Sequence, residues 1–420
     1  MNPQPPFTAG DGLRYGLLGL PLAFVALPLY VVLPNYYARE FGVPLATLGA
    51  VLLAARLFDA VIDPWIGRLN DRLFARSASS VLALGALASV MLAGGFILLF
   101  FPLARQPSAL LAWAVAALVL TYAGYSALTV AHQSWGARLG GDESQRGRIV
   151  AWREGLGLAG VLLASVLSVV AGPVVASAVL VAALALGWLT WARSRRPPPA
   201  RSQVARFSLW LPLAQPAFRR LLAVFLLNGI ASAIPATLVL FYVQDRLQAP
   251  VAMQPVFLGS YFLFAALSIP MWLAAVRRIG LARSWLCGMV LAIAVFMWAA
   301  LLGAGDVASF LAVCVLSGAA LGADLALPGA LLAGLIADAG ERGRAEGAYF
   351  GWWNFATKLN LALAAGLALP LLALAGYSPG ARGPAALDAL VIAYCVLPCI
   401  LKVVAAATLY VSLIRPGSPR

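Results

Sequence analysis

Charge is what this sequence has least of. Of its 420 residues only 10% are Asp, Glu, Lys or Arg, against about 25% in an ordinary soluble domain. Histidine occurs once, at His132, and cysteine four times, at Cys287, Cys314, Cys395 and Cys399. All four thiols fall in apolar stretches and read as small hydrophobes used for packing. No His/Cys/carboxylate group has metal-ligand spacing and no Gly-rich phosphate loop is present, which argues against ATP-driven work by this chain. A membrane-embedded enzyme or receptor is the rival of a different class, but no nucleophile–base pair, metal set or large polar domain supports it. A basic region of the kind that opens a cleavable leader is also missing from residues 1–10.

What the chain has in abundance is apolar sequence: 63% of it is hydrophobic. It divides into runs of membrane-crossing length, about 20 residues each. They span 16–36, 45–67, 80–101, 109–135, 150–171, 173–192, 221–244, 254–276, 284–304, 307–337, 347–374 and 386–413. Backbone polar groups in lipid need internal partners, so the spans are helices or a closed barrel. The runs are continuous rather than alternating, which leaves helices. The reading is an all-α, multi-pass membrane protein of twelve helices, monomeric and without a cofactor.

The net charge of +14 is a topology signal and implies no nucleic-acid partner. With twelve spans both termini share a side, and that side collects 21 of the 29 cations, among them Arg68, Arg72, Arg76, Arg138, Arg195, Arg196, Arg277 and Arg278. The opposite side has 4, at Arg39, Arg105, Arg246 and Arg382. Positive charge stays inside, so both termini are expected in the cytoplasm, in the cell membrane or, for a bacterium, the inner membrane. The longest polar stretch, 193–220, carries Pro197, Pro198 and Pro199 and separates a six-span bundle over 1–192 from another over 221–420. Two such halves joined by a cytoplasmic linker are the plan of the major facilitator fold. Gly67-Arg68-Leu69-Asn70-Asp71-Arg72 resembles that superfamily's short cytoplasmic loop between helices 2 and 3, which implies a tight turn and cations able to meet helix ends and carboxylates.

Ionisable groups inside spans are costly and mark function by default. Span 2 carries Arg56, Asp59 and Asp63, followed by Pro64. Offsets of three and four put all three on one helix face. Two carboxylates one turn apart can give oxygen ligands to Na⁺ or share and release a proton; the alternative is a structural network that merely neutralises them. Lys358 is alone in span 11, flanked by Asn354 and Asn360, and needs an anionic partner, for which the Asp59/Asp63 pair is the natural candidate. Asp324 is isolated in span 10, fit for substrate contact or a packing hydrogen bond. Lys402 in span 12 is expected to snorkel. His132, beside Gln133, reads as a packing or cavity residue more readily than as a proton relay. Arg153 opens span 5 as a substrate clamp, a gate or an interfacial cation. Pro21 and Pro28 in span 1 suggest kinks.

These residues carry a resemblance. Arg56-x-x-Asp59-x-x-x-Asp63-Pro64-x-x-Gly67, continuing to Asp71-Arg72, resembles the helix-2 signature of the glycoside–pentoside–hexuronide:cation symporters, the melibiose-permease branch of the major facilitator superfamily. Glu346-Gly347-Ala348-Tyr349 with Lys358 and Gly376-Tyr377 resembles the family's helix 10–11 region. Trp135-Gly136-Ala137-Arg138-Leu139 with Arg146 and Arg153 resembles its helix 4–5 loop. The resemblance implies that Asp59 and Asp63 bind a cation and that Lys358 is the coupling lysine. It aligns Ser126 and Thr129 with the family's helix-4 threonine and aspartate, and Ala23 with its helix-1 aspartate. Both carboxylates that engage the galactoside are thus absent, so galactoside specificity does not carry over and Na⁺ against H⁺ stays open.

The expectation is therefore a secondary transporter working by alternating access, coupled to a monovalent cation and moving a small solute of the sugar or glycoside class. Asp59, Asp63, Ser126 and Thr129 hold the cation, as a metal site if it is Na⁺. Lys358 and Arg56 communicate occupancy. Gln133, Arg153, Asn228, Asp324 and Asn354 touch substrate. The rival within transporters is an exporter or a lysolipid or amphiphile carrier on the same fold.

Overall fold

The computed structural model describes residues 7–104, 106–170, 172–198, 208–378 and 380–415. Arg105 and Pro199, named above, lie outside them, as do Arg201, Arg206 and Arg420 among the 21 cations of the tally. The described residues are helical throughout, without strands. The helices are α1 (Ala9–Gly16), α2 (Gly19–Phe24), α3 (Leu33–Phe41), α4 (Leu45–Arg76), α5 (Ala78–Phe100), α6 (Pro107–Leu139), α7 (Glu143–Val170) and α8 (Gly172–Ala192), then α9 (Leu211–Ala214), α10 (Pro216–Phe241), α11 (Gln254–Ile279), α12 (Leu281–Ala299), α13 (Val307–Asp338), α14 (Glu346–Leu374), α15 (Pro384–Val391) and α16 (Leu397–Leu409). Among the described residues, α5–α8, α10–α13 and the continuous run Pro384–Ile414 that holds α15 and α16 make nine segments long and apolar enough to cross a membrane. The first apolar run adds a tenth crossing in pieces, because Pro21, Pro28 and Pro34 remove backbone donors and break it into α1, α2, a wide turn over Pro28–Val32 and α3. Helices α4 and α14, which cover the second and eleventh apolar runs, complete the twelve expected.

Two compact units form by contact. The first comprises Met1–Pro212 with Ala333–Phe355, and the second Leu213–Leu332 with Ala356–Arg420. In the first, α5 lies along α6, α4 crosses α6, and α2 packs on α7, around a core from Phe7 to Trp191. In the second, α16 packs against α10 and α12, with Tyr242, Phe310 and Tyr394 in its core. Three of the four thiols are buried as packing residues; Cys287 is exposed, and all are free.

Helix α4 shows how sequence sets the site. Leu53, Leu57, Val61 and Trp65 are exposed on one side, a face suited to lipid; Ala55, Asp59, Asp63, Gly67 and Asp71 are buried on the other. The charged residues of span 2 are thus turned inward. The short loop expected over 67–72 is not formed. The helix runs on to Arg76, and Ser77 then adopts an extended conformation and accepts the Ser80 amide at 3.0 Å to start α5. Gly67 serves contact, not a turn: a Cβ there would overlap the Gly347 carbonyl at the start of α14. Because the obstacle is backbone, Gly67→Val is expected to lower the thermal midpoint of the purified protein by several degrees, corresponding to roughly 1–3 kcal/mol of overpacking. A variant melting like the parent would show that the two backbones separate freely. Arg219 and Arg220, at the end of the polar stretch 193–220, belong to α10.

Candidate functional site

Inside the first unit, α4 presents Asp59 and Asp63 one turn apart, 3% and 0% exposed. The Ser126 hydroxyl on α6 donates to Asp59 Oδ1 at 2.6 Å. This short bond ties α4 to α6 at Asp59. Arg56 lies one turn before Asp59 on the same helix, half-buried. Carboxylate and hydroxyl oxygens are the donors a hard monovalent cation takes. Among the described residues no three His, Cys, Asp or Glu side chains cluster as a multi-ligand metal centre would.

Two turns along α6, a polar cavity of about 130 Å³ opens between α2, α6 and α7, lined by Thr129, His132, Gln133, Arg153 and Glu154, with Ala23 on its wall. Its formation has a local cause. Gly19 on α2 has no side chain, and a Cβ there would overlap the Arg153 carbonyl, so α2 and α7 approach closely. Arg153 donates to Glu154 through Nε at 3.0 Å and through Nη2 as well. It is therefore a paired cation, and its charge is offset within the cavity. The His132 ring is fully buried against Tyr15 and Trp191. Its Nε2 lies 2.8 Å from the Tyr15 carbonyl, which assigns the proton to Nε2. Its Nδ1 accepts no hydrogen bond among the described residues, nor does the Thr129 hydroxyl find a partner there. Asn354 donates to Gln133 Oε1 at 2.7 Å.

The residues expected to act together thus divide. Ser126 joins Asp59, while Thr129 lines the cavity with Gln133 and Arg153, and Asn354 supports Gln133. Lys358 is half-buried on α14 in the second unit. Asn228 and Asp324 meet elsewhere in that unit, and here two expectations are overturned. Lys402 does not snorkel, and Asp324 is not isolated: Lys402 Nζ bonds Asp324 Oδ2 at 2.8 Å and Asn228 Oδ1 at 2.6 Å, and is 5% exposed. Trp285 Nε1 and the Ser232 hydroxyl also donate to Asp324, at 2.9 and 3.3 Å. A buried ammonium is held by a carboxylate and a carbonyl oxygen rather than by water. Glu154 and the free nitrogen of His132 were missed as site groups; the adjacency of Arg153 and Glu154 was the available signal.

Beyond the apolar run, α4 ends in a second buried network. Asp71 accepts the Gly347 and Ala348 amides at 2.8 Å each, capping the start of α14. Arg138 of α6 reaches Asp71 at 3.2 Å and Glu346 at 2.9 Å, and its guanidinium lies 4.0 Å from the centre of the Phe74 ring. One cation thus faces two carboxylates. Burial pushes the Asp71 carboxyl up to about 7, against the opposing pull of Arg138.

Comparison with known proteins is consistent with these features. A family model described as MFS/sugar transport protein matches residues 14–414. A bacterial homologue of the iron transporter ferroportin, in an outward-facing state, superposes with TM-score 0.72 at 14% identity, covering 96% of this chain and 99% of that one. The E. coli fucose:proton symporter FucP superposes with TM-score 0.67 at 15% identity, covering 95% and 99%. At such identities the likeness is one of fold. A search of curated proteins found no match.

Proposed function

The chain belongs to the MFS/sugar transport protein family, a family of major facilitator transporters and not of enzymes, and from that premise we propose that it is a cation-coupled carrier of a neutral, hydroxyl-rich solute of the sugar or glycoside class. The observation that carries this reading is the pairing of a buried carboxylate site, Asp59 bonded to Ser126 with Asp63 one turn on, with a charge-compensated polar cavity on the same helix α6. An Arg153–Glu154 pair has no net charge to satisfy, so a neutral solute with many hydroxyls suits it better than an anion. His132 Nδ1, Thr129 and Gln133 supply acceptors and donors for those hydroxyls. Thr129 adds an oxygen toward the cation on the same helix as Ser126. Lys358 and Arg56 relay occupancy during alternating access. The fucose:proton symporter among the structural neighbours supports this solute class by analogy of fold.

The remaining proposals follow from the charge tally. The 21-to-4 cation asymmetry supports cytoplasmic termini in an inner membrane, with halves 1–192 and 221–420 joined by 193–220. The carrier works as a monomer, with Na⁺ or H⁺ as its only inorganic partner.

The test is uptake of radiolabelled sugars and alkyl glycosides into proteoliposomes under an imposed Na⁺ or H⁺ gradient. A membrane potential of 100 mV is worth about 2.3 kcal/mol per charge, so coupling to one cation allows accumulation up to about fifty-fold. Equilibration that no cation gradient drives beyond the outside concentration would overturn the proposal.

A further inference from the structure

The second unit holds a cavity of about 180 Å³ between α10, α11, α12, α13 and α16. Its wall is mostly apolar, with Phe257, Phe262 and Phe296 contributing rings. Asp324 and Lys402 line it too, and these two are the ends of the buried ion pair described above. The chemistry of this pair selects an occupant. Asp324 already accepts from Lys402, Trp285 and Ser232. Lys402 spends two of its three N–H groups, on Asn228 and Asp324, and keeps one. The site therefore offers a donor, and it is neutral as a whole. A charged ligand would bring an uncompensated charge into an apolar chamber and lose its hydration without a partner. A free sugar would bring more hydroxyls than these walls can satisfy. A neutral, apolar body carrying a hydrogen-bond acceptor meets both conditions.

Volume narrows the class further. An apolar protein cavity of about 150 Å³ holds benzene, so this one has room for a single ring with a small substituent. We infer that the α10–α16 cavity is a binding site for neutral monocyclic aryl compounds bearing one carbonyl or hydroxyl acceptor, which engages the remaining Lys402 N–H. The site extends the proposed function, naming a ligand class that the polar cavity of the first unit does not suit. It stands independently of cation coupling.

Acetophenone is the probe, with benzoate and benzylamine as charged analogues of similar size. Tritiated acetophenone is titrated onto the purified full chain in nanodiscs, against empty nanodiscs for partition into lipid. Saturable binding is expected, with benzoate and benzylamine at least tenfold weaker. Ser317→Phe, which fills the chamber, is expected to abolish it. Asp324→Asn with Lys402→Met, which keeps the volume, removes the donor without stranding a charge and is expected to weaken it at least tenfold. If Ser317→Phe does not fold, Ala320→Leu makes the same steric test. Asp59→Asn is expected to bind acetophenone like the parent, so loss of coupling and loss of this site are read separately. Binding that does not saturate, that survives the filling variants, or that favours benzoate would overturn the assignment.

Discussion

Asp59→Asn is expected to abolish concentrative uptake, reducing accumulation from as much as about fifty-fold to simple equilibration. The substitution is nearly isosteric. Asn retains a carbonyl oxygen to accept the Ser126 hydroxyl, which lies 2.6 Å from Asp59 Oδ1, so the α4–α6 packing survives. What is lost is one of two buried carboxylates, and with it the charge that the proposed function assigns to holding the cation. Two measurements separate coupling from architecture. Counterflow exchange of labelled against unlabelled solute needs no gradient and should persist in Asp59→Asn, because the polar cavity around Gln133 and Arg153 is untouched. The melting profile should change little. A merely structural carboxylate gives the opposite pattern: weakened folding, with exchange and accumulation falling together. Asp63→Asn should behave like Asp59→Asn. Ser126→Ala should be milder, raising the half-saturating cation concentration about ten- to a hundred-fold, since it removes one hydrogen bond to a charged group worth roughly 1.5–3 kcal/mol. Normal concentration of solute by the Asp59→Asn, Asp63→Asn double variant would refute the coupling role.

The sequence exposed the parts of this protein that depend on short-range spacing. Asp59, Asp63 and Gly67 lie at offsets of four on one helix, so their shared buried face is a property of helical geometry. The apolar runs gave the helices because lipid admits few alternatives. Contacts between helices were another matter. Lys402 and Asp324 are 78 residues apart on α16 and α13, and no periodicity within either helix reports the rotation that brings them together. A lysine with a long stem looks the same in sequence whether it snorkels or is buried. The continuation of α4 through Gly67–Arg76 was hidden for a related reason. Polar residues there read as a loop, but Arg and Leu are good helix formers, and Asp71 finds its partners on α14 and α6, far along the chain. Arg153 shows the intermediate case: its partner is the next residue, visible at once, yet only the tight α2–α7 contact at Gly19 reveals that the pair lines a cavity.

The largest stability effect is expected at Arg138. Its side chain is 1% exposed, between Asp71 and Glu346. Arg138→Met removes the cation and leaves two carboxylates in the same dry place. Breaking a buried ion pair by deleting one partner costs about 3–5 kcal/mol. The Asp71 carboxyl, already pushed up to about 7 by burial, can take up a proton and recover part of that cost, so the loss should be larger at pH 8 than at pH 6. A domain of 150–250 residues loses roughly 2–4 °C per kcal/mol, which puts the fall in thermal midpoint near 10 °C at the higher pH. The triple variant Arg138→Met, Asp71→Asn, Glu346→Gln separates charge from packing. It strands no charge, and its side-chain carbonyls can still accept the Gly343 amide and one of the Gly347 and Ala348 amides that Glu346 and Asp71 now hold. It should therefore melt several degrees above Arg138→Met. Thermal melts in nanodiscs at both pH values decide the matter. If Arg138→Met melts like the parent, or the triple variant is as unstable as the single one, the network at the end of α4 is not held by charge. In that case the Gly67–Gly347 backbone contact, and not the ion trio, would be what keeps the start of α14 against α4.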